Sequence, residues 1–315
     1  MKNIKLNDLY IKLNMHECPP EFNNLPLNGY IFEVEDAKGA VVLAHGMAEH
    51  AARYSEMGEY YNKYGLNFYA FDYYGHGYSK HDDERVGLLR TNNLIESILF
   101  CMKMTHDYVK SLNDTIPMYL FAHSMGSMCA QRYIELYPND YDKVILSGTD
   151  IGGFKYKFLK AITKPIIKAH GYNCYNDTIK KLTLDSFDNH FKKEKTSLAW
   201  LSLNKENIET YKNDPLCGEV YPVGYFNSLA ENLNQAWKVE NIKKIQAKKI
   251  LLITGIDDPV SNFSKSPIKL NKKYQKLGIN SNCIVFENAR HESFNEKEET
   301  KEKVFETITN FYLED

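Results

Sequence analysis

Six short apolar runs recur along the chain, each separated from the next by a stretch long enough to fold as a loop or helix: GAVVLAHG (39–46), LNFYAFDYYG (66–75), PMYLFAHS (117–124), DKVILSG (142–148), KKILLITG (248–255) and NCIVFE (282–287). They are rich in Val, Ile, Leu and Tyr and do not alternate strictly with polar residues. Such runs suit strands buried on both faces, which means a parallel sheet covered by helices. The intervening segments 50–64, 91–112 and 125–137 are long enough for crossover helices, and Pro138 marks where the last should stop. An alternating segment, GYIFEVED (29–36), reads as an antiparallel edge strand before the series, and EETKEKVFETITNFYL (298–313) as a closing amphipathic helix. The expected class is α/β.

The alternation lapses between Asp150 and about Glu240, which reads as a helical insertion. Within it, GFKYKFLKAITKPIIKAHG brings Phe154, Phe158, Leu159, Ile162, Ile166 and Ile167 near one helical face, with lysines interspersed, and Pro165 should break or kink the helix. The 39 Lys and Arg against 41 Asp and Glu leave a net charge of -2 with no long basic run, so there is no footprint for a nucleic-acid backbone. The six cysteines (Cys18, Cys101, Cys129, Cys174, Cys217, Cys283) are scattered, without Cys-x-x-Cys or zinc-like spacing, and read as free thiols in a reducing compartment. The start, MKNIKLNDLYIKLN, lacks the apolar stretch of roughly 7–15 residues found in a signal peptide and is interrupted by Lys, Asn and Asp. A cytoplasmic protein is expected, with no metal or organic cofactor.

Chemistry concentrates at three places. Ala122-His123-Ser124-Met125-Gly126 falls where a strand pattern meets a helix pattern, as in a nucleophile elbow, whose sharp turn lifts a serine hydroxyl above the sheet and needs small residues two positions to either side. Ala122 stands where Gly is usual. A serine hydroxyl needs a histidine to take its proton, and that histidine needs a carboxylate to fix its tautomer. The acid should follow a late strand. KKILLITG runs into Ile256-Asp257-Asp258-Pro259-Val260, where Asp258 is preferred and Asp257 is left to the turn. The base should follow the last strand, and His291 is the only one of ten histidines C-terminal to Asp258. The oxyanion of a tetrahedral intermediate would be met by the backbone N–H groups of Met125 and Met47, the latter in the loop His45-Gly46-Met47. His45 is expected to pack beneath that loop, and Asp72-Tyr73-Tyr74-Gly75-His76-Gly77-Tyr78-Ser79 to brace it.

Taken in order, HGMAEHAARY (45–54), DYYGHGYS (72–79), AHSMGS (122–127), GIDDPV (255–260) and ARHE (289–292) resemble the α/β-hydrolase family that contains monoacylglycerol lipases and bacterial lysophospholipases. The resemblance covers almost the whole chain. It implies a mostly parallel eight-stranded sheet with helices on both faces, a core of 1–149 and 240–315, and a helical cap of 150–239. Residue by residue it assigns Ser124, Asp258 and His291 as nucleophile, acid and base, with Met47 and Met125 at the oxyanion hole. The activity implied is hydrolysis of the ester of a single-chain lipid, a monoacylglycerol or lysophospholipid, through an acyl-enzyme. A carboxylesterase of small esters and a non-catalytic binder on the same fold stay as alternatives. The partner is a lipid or ester substrate, with peripheral membrane contact through the cap and no nucleic acid.

Overall fold

The computed structural model describes residues 2–5, 26–80, 86–88, 94–194 and 196–314. Cys18 and most of the N-terminal stretch read above lie outside the described residues.

Eight strands, β1 (Lys2–Lys5), β2 (Pro26–Phe32), β3 (Gly39–Ala44), β4 (Leu66–Phe71), β5 (Met118–His123), β6 (Lys143–Ser147), β7 (Lys249–Gly255) and β8 (Ser281–Phe286), form one sheet in the order β1-β2-β4-β3-β5-β6-β7-β8. From β4 to β8 every pairing is parallel. The apolar runs mark these strands to within a few residues. The segment read as an edge strand, 29–36, is instead β2, which starts earlier, ends at Phe32 and lies between β4 and β1. No apolar run announces β1. Seven strands, β2 to β8, thus make the wound sheet, and β1 extends its antiparallel side.

Both faces of the central strands are closed. All six residues of β3 are buried, Val41 and Leu43 in one apolar cluster and Ala40, Val42 and Ala44 in the other. The first cluster is covered by α1 (Ser55–Lys63) and the C-terminal helix (Glu298–Leu313), the second by α2 (Leu94–Leu112) and α3 (Met125–Leu136). With no polar face to turn to water, such strands must be nearly all apolar, which is why they are legible in the sequence.

Between β6 and β7 lie α4 (Phe154–His170), α5 (Asp177–Leu182), α6 (Leu184–Asp188), a 3-10 turn (Asn189–Glu194), α7 (Lys205–Asn213), α8 (Val223–Ala236) and α9 (Val239–Ile242), and among the described residues of this segment there is no strand. Helix α8 packs against α3 and α2 on one side and α4 on the other. Its Asn232 amide donates to the Met128 carbonyl at 2.9 Å. Helix α4 departs from the sequence reading in two ways. It is not broken at Pro165. Its buried side chains are Tyr156, Leu159 and Thr163, whereas Phe154, 85% exposed, turns away from that face and Phe158, 53% exposed, sits at its margin. The inward face is set by contact with α8, and helical spacing alone does not fix which way it turns.

Phe121, fully buried on β5, meets Tyr54 and Phe294 at ring-centroid distances of 6.3 and 5.7 Å. Phe121→Ala is expected to lower the unfolding free energy by about 3–5 kcal/mol, read from the urea midpoint at unchanged m-value. A loss below about 1 kcal/mol would contradict the packing described here.

Candidate active site

Strand β5 ends at His123 and α3 begins at Met125, leaving Ser124 between them at φ 51° and ψ −122°. That positive φ is the sharp turn of the elbow, and it turns the hydroxyl away from the sheet. The turn closes because α3 starts hard against β3: a Cβ on Gly126 would lie 2.1 Å from the Ala44 carbonyl oxygen. Ala122 pairs in register with Ala44 and is fully buried, so its methyl is accommodated and the elbow keeps its geometry.

His291 Nε2 lies 2.7 Å from Ser124 Oγ, and His291 Nδ1 lies 3.0 Å from Asp258 Oδ1. A proton on Nδ1 directed at the carboxylate leaves the Nε2 lone pair facing the hydroxyl, the arrangement a general base needs. Asp258 is fully buried, accepts from Val260 N–H at 2.9 Å, and is approached by the Thr254 hydroxyl at 3.5 Å. Asp257 points to water and uses its N–H on the Ala289 carbonyl. The two carboxylates are thereby distinguished, in favour of Asp258. Met47 and Met125 both line the cavity at Ser124, and Met125 N–H belongs to the first turn of α3, where the helix itself offers no acceptor.

Beneath the oxyanion loop, the His45 ring is fully buried, with Nδ1 2.9 Å from the Gly46 carbonyl and Nε2 accepting Tyr73 N–H at 3.2 Å. Asp72 accepts from Ala51 N–H at 2.8 Å and Tyr78 N–H at 3.1 Å, tying the loop after β4 to the end of the oxyanion segment. The bracing roles expected for His45 and for 72–79 match these contacts.

Sequence reasoning quoted Glu49, Arg53 and Glu292 inside motifs but gave them no role. Arg53 Nη1 reaches Glu49 and Glu292, each at 2.6 Å, with all three side chains buried. Glu49 also accepts from Gly46 N–H at 2.5 Å and the Tyr54 hydroxyl at 2.8 Å. The oxyanion loop and the turn that carries His291 are thus joined through one guanidinium. Gly148 was missed as well. Its φ is +57°, and a Cβ there would lie 2.9 Å from His291 Cε1. The rings of Trp200 and His123 lie tilted against the His291 ring, at centroid distances of 5.3 and 4.7 Å.

Burial works against protonating His291, but the Asp258 charge and hydrogen bond, with Glu292 and Glu49 farther off, outweigh it, so the ring titrates above its ordinary value of 6.5. Burial and neighbouring histidines hold His45 and His123 well below that value, and burial lowers His76 to about 4. Glu292, although buried, is lowered to about 2 by Arg53.

A cavity of about 250 Å³ opens over Ser124, walled by Phe158, Leu159, Ile162, Leu184, Phe187 and Trp200. Among the described residues that line it there is no carboxylate, and Lys155, its one cation, is paired with Asp150 at 2.8 Å.

Sheet order, elbow and helical layers define an α/β hydrolase. The chain belongs to the family described as Serine aminopeptidase, S33, which matches residues 35–298. It is 28% identical over 183 residues to the Monoacylglycerol lipase of Mycolicibacterium smegmatis, a match covering 58% of this chain and 57% of that protein, little more than half the relative's length. It is 23% identical over 281 residues to the "Probable lysophospholipase L2" of Haemophilus influenzae, covering 86% of this chain and 82% of that one. Among solved structures, a thermostable carboxyl esterase from Bacillus coagulans superimposes with a TM-score of 0.85 at 21% identity, over 93% of this chain and 96% of the other.

Histidine ring titration by NMR should put His291 above 6.5 and His76 near 4. Glu292→Gln removes one of the charges that favour the imidazolium, so it should move the His291 midpoint down. A midpoint that stays or rises would break the link drawn between the Arg53 network and the base.

Proposed function

We propose that this chain is a serine hydrolase of single-chain lipid esters, monoacylglycerols or lysophospholipids, and that the observation carrying this reading is the hydrogen-bonded chain Ser124–His291–Asp258 set at the floor of an apolar cavity. His291 takes the hydroxyl proton as Ser124 Oγ attacks the ester carbonyl. Met47 and Met125 N–H groups receive the oxyanion, His291 returns the proton to the leaving glycerol oxygen, and water then resolves the acyl-enzyme by the same route. Asp258 keeps the imidazole in the required tautomer. No cofactor takes part in these steps.

The apolar walls suit an acyl chain. They do not suit a peptide N-terminus, whose ammonium would want a carboxylate that the lining residues do not provide, so the reading follows the relatives named for lipid esters rather than the family's aminopeptidase description. A second, more polar cavity of about 460 Å³ shares Lys155, Ser186 and Phe187 with the first and is bordered by Lys265 and Lys269. Asp150 also lines it and pairs with Lys155, so it is Lys265 and Lys269 that favour the phosphate of a lysophospholipid over an uncharged glycerol.

In this reading residues 150–239 serve as the cap, with α4 to α6 forming the cavity wall. Peripheral membrane contact falls on α4, where Phe154 projects to solvent and Phe158 is half-exposed at the cavity rim, beside Lys157, Lys164 and Lys168. Among the described residues no helix is long and apolar enough to cross a membrane. A cytoplasmic location belongs to the same proposal, and it is supported by five cysteines that carry free thiols (Cys101, Cys129, Cys174, Cys217 and Cys283).

Ser124→Ala should remove both ester hydrolysis, by at least about a thousandfold in kcat, and labelling by a fluorophosphonate. Labelling retained in the variant would sink the assignment. Asp258→Asn should cost on the order of 10⁴-fold, while Asp257→Asn should leave the rate within about twofold. The reverse order would move the acid to Asp257.

Membrane contact is checked by co-sedimentation with vesicles. Anionic vesicles should bind more protein than neutral ones, less so at high salt, and Phe154→Ser should weaken the binding. Equal binding to both vesicle types, or none at low ionic strength, leaves α4 as a pocket wall only.

A further inference from the structure

His50, Asp214 and Cys217 come from two separated parts of the chain and meet beside the oxyanion loop. His50 is the last residue of HGMAEH and sits just before the 3-10 turn Ala51–Tyr54. Asp214 and Cys217 lie in the turn that follows α7. His50 Nε2 is 2.7 Å from Asp214 Oδ2, and one ligand atom from each of the three residues lies within 4.8 Å of the other two. The hydrolysis described above gives none of these three side chains a task.

We propose that these three residues form a site for a borderline-soft divalent cation of the zinc type, which takes its fourth ligand from water. The donor set supports this choice of metal. An imidazole nitrogen, a thiolate and a carboxylate oxygen suit zinc, whereas calcium and magnesium want oxygen alone. Bonds of about 2.0–2.3 Å put tetrahedral ligands roughly 3.3–3.8 Å apart. The His50–Asp214 pair would therefore open by somewhat over half an ångström while the sulfur closes in, a side-chain adjustment within one turn. His50 is buried and its Nδ1 has no hydrogen-bond partner, while Asp214 and Cys217 are half-exposed, so the site has a fixed inner ligand and an open outer side. Charge is also favourable. Arg53 pairs with both Glu49 and Glu292, and Asp214 pairs with His50, so the neighbourhood holds more carboxylates than fixed cations for a dication to offset.

The turn is held in place for the task. Asp214 Oδ1 accepts Leu216 N–H at 2.8 Å and the Asp214 carbonyl accepts Cys217 N–H at 3.1 Å, which leaves Oδ2 directed at His50. One residue on, Gly218 N–H donates to the Ala48 carbonyl at 2.9 Å, and the same carbonyl accepts the Tyr211 hydroxyl at 2.7 Å. A bound ion would therefore staple the segment after α7 to the residue next to Met47.

The test uses the purified full-length chain, freed of metal with a chelator and titrated with Co²⁺. Expected is a thiolate-to-cobalt charge-transfer band that saturates at one equivalent and is bleached by Zn²⁺. Cys217→Ser should lose the band, and His50→Gln should weaken metal binding at least tenfold, while metal-free Cys217→Ser keeps the wild-type melting temperature and its rate on a small ester. The band's absence from the wild type, or its persistence in Cys217→Ser, which would trace it to another thiol, overturns the proposal. Because the cobalt readout needs no substrate, its outcome is independent of the hydrolase reading.

Discussion

Arg53 is the residue on which the arrangement of the site depends. A guanidinium withdrawn from water is costly unless its charge is matched and its donors are used. Here Glu49 supplies a match from the oxyanion segment and Glu292 another from the turn after His291, 239 residues away in sequence. Removing either carboxylate would leave buried charge poorly compensated, at a cost of roughly 3–5 kcal/mol for a broken buried pair. The pair thus works as a positional constraint: the loop that carries Met47 and the loop that carries His291 cannot drift apart without exposing that cost. The same carboxylates add to the negative potential that holds the His291 imidazole above its ordinary value, so mechanical and electrostatic roles converge on one cluster.

Much of this was legible in the sequence. Strands buried on both faces must be apolar throughout, and the six runs mark β3 to β8 to within a few residues. The elbow was legible because a strand, a serine flanked by small residues and a helix follow one another within a few positions, and the three members His291, Asp258 and Ser124 are brought into one hydrogen-bonded chain. What the sequence hid were relations between distant residues. Glu49 and Arg53 stand in one motif and Glu292 in another, but nothing in their spacing states that they share a charge. The orientation of α4 was also hidden. Apolar spacing brought Phe154 and Phe158 to a common face with Leu159, yet contact with α8 turns Tyr156, Leu159 and Thr163 inward and leaves Phe154 toward water and Phe158 at the cavity rim. β1 gave no signal because a short strand with two lysines has neither alternation nor an apolar run.

Helix α8 blurs the line between core and cap. In sequence it lies within 150–239, but it packs on α3 and α2 as firmly as any core helix does, and it gives α4 the surface on which α4 rests. Of the 150–239 segment, α4 to α6 border the apolar cavity closely. The wall is continuous with the core beneath it: Tyr156, Leu159 and Ile179 belong to the apolar cluster on one face of the sheet, and Ile162, Leu184, Phe187 and Trp200 pack against that cluster.

The backbone at Ser124 has a further meaning. A non-glycine residue at φ 51° and ψ −122° is held in a sparsely populated conformation, and such residues cost on the order of 1–3 kcal/mol. Glycine would sit there without strain. A chain chosen for durability alone would carry glycine at 124, so this protein holds part of its folding free energy in reserve at the position where the proposed hydrolysis needs a side chain. On that proposal its most stable relative by single substitution at 124 would be an inert one, and thermal robustness and turnover are opposed there by the geometry of the turn itself.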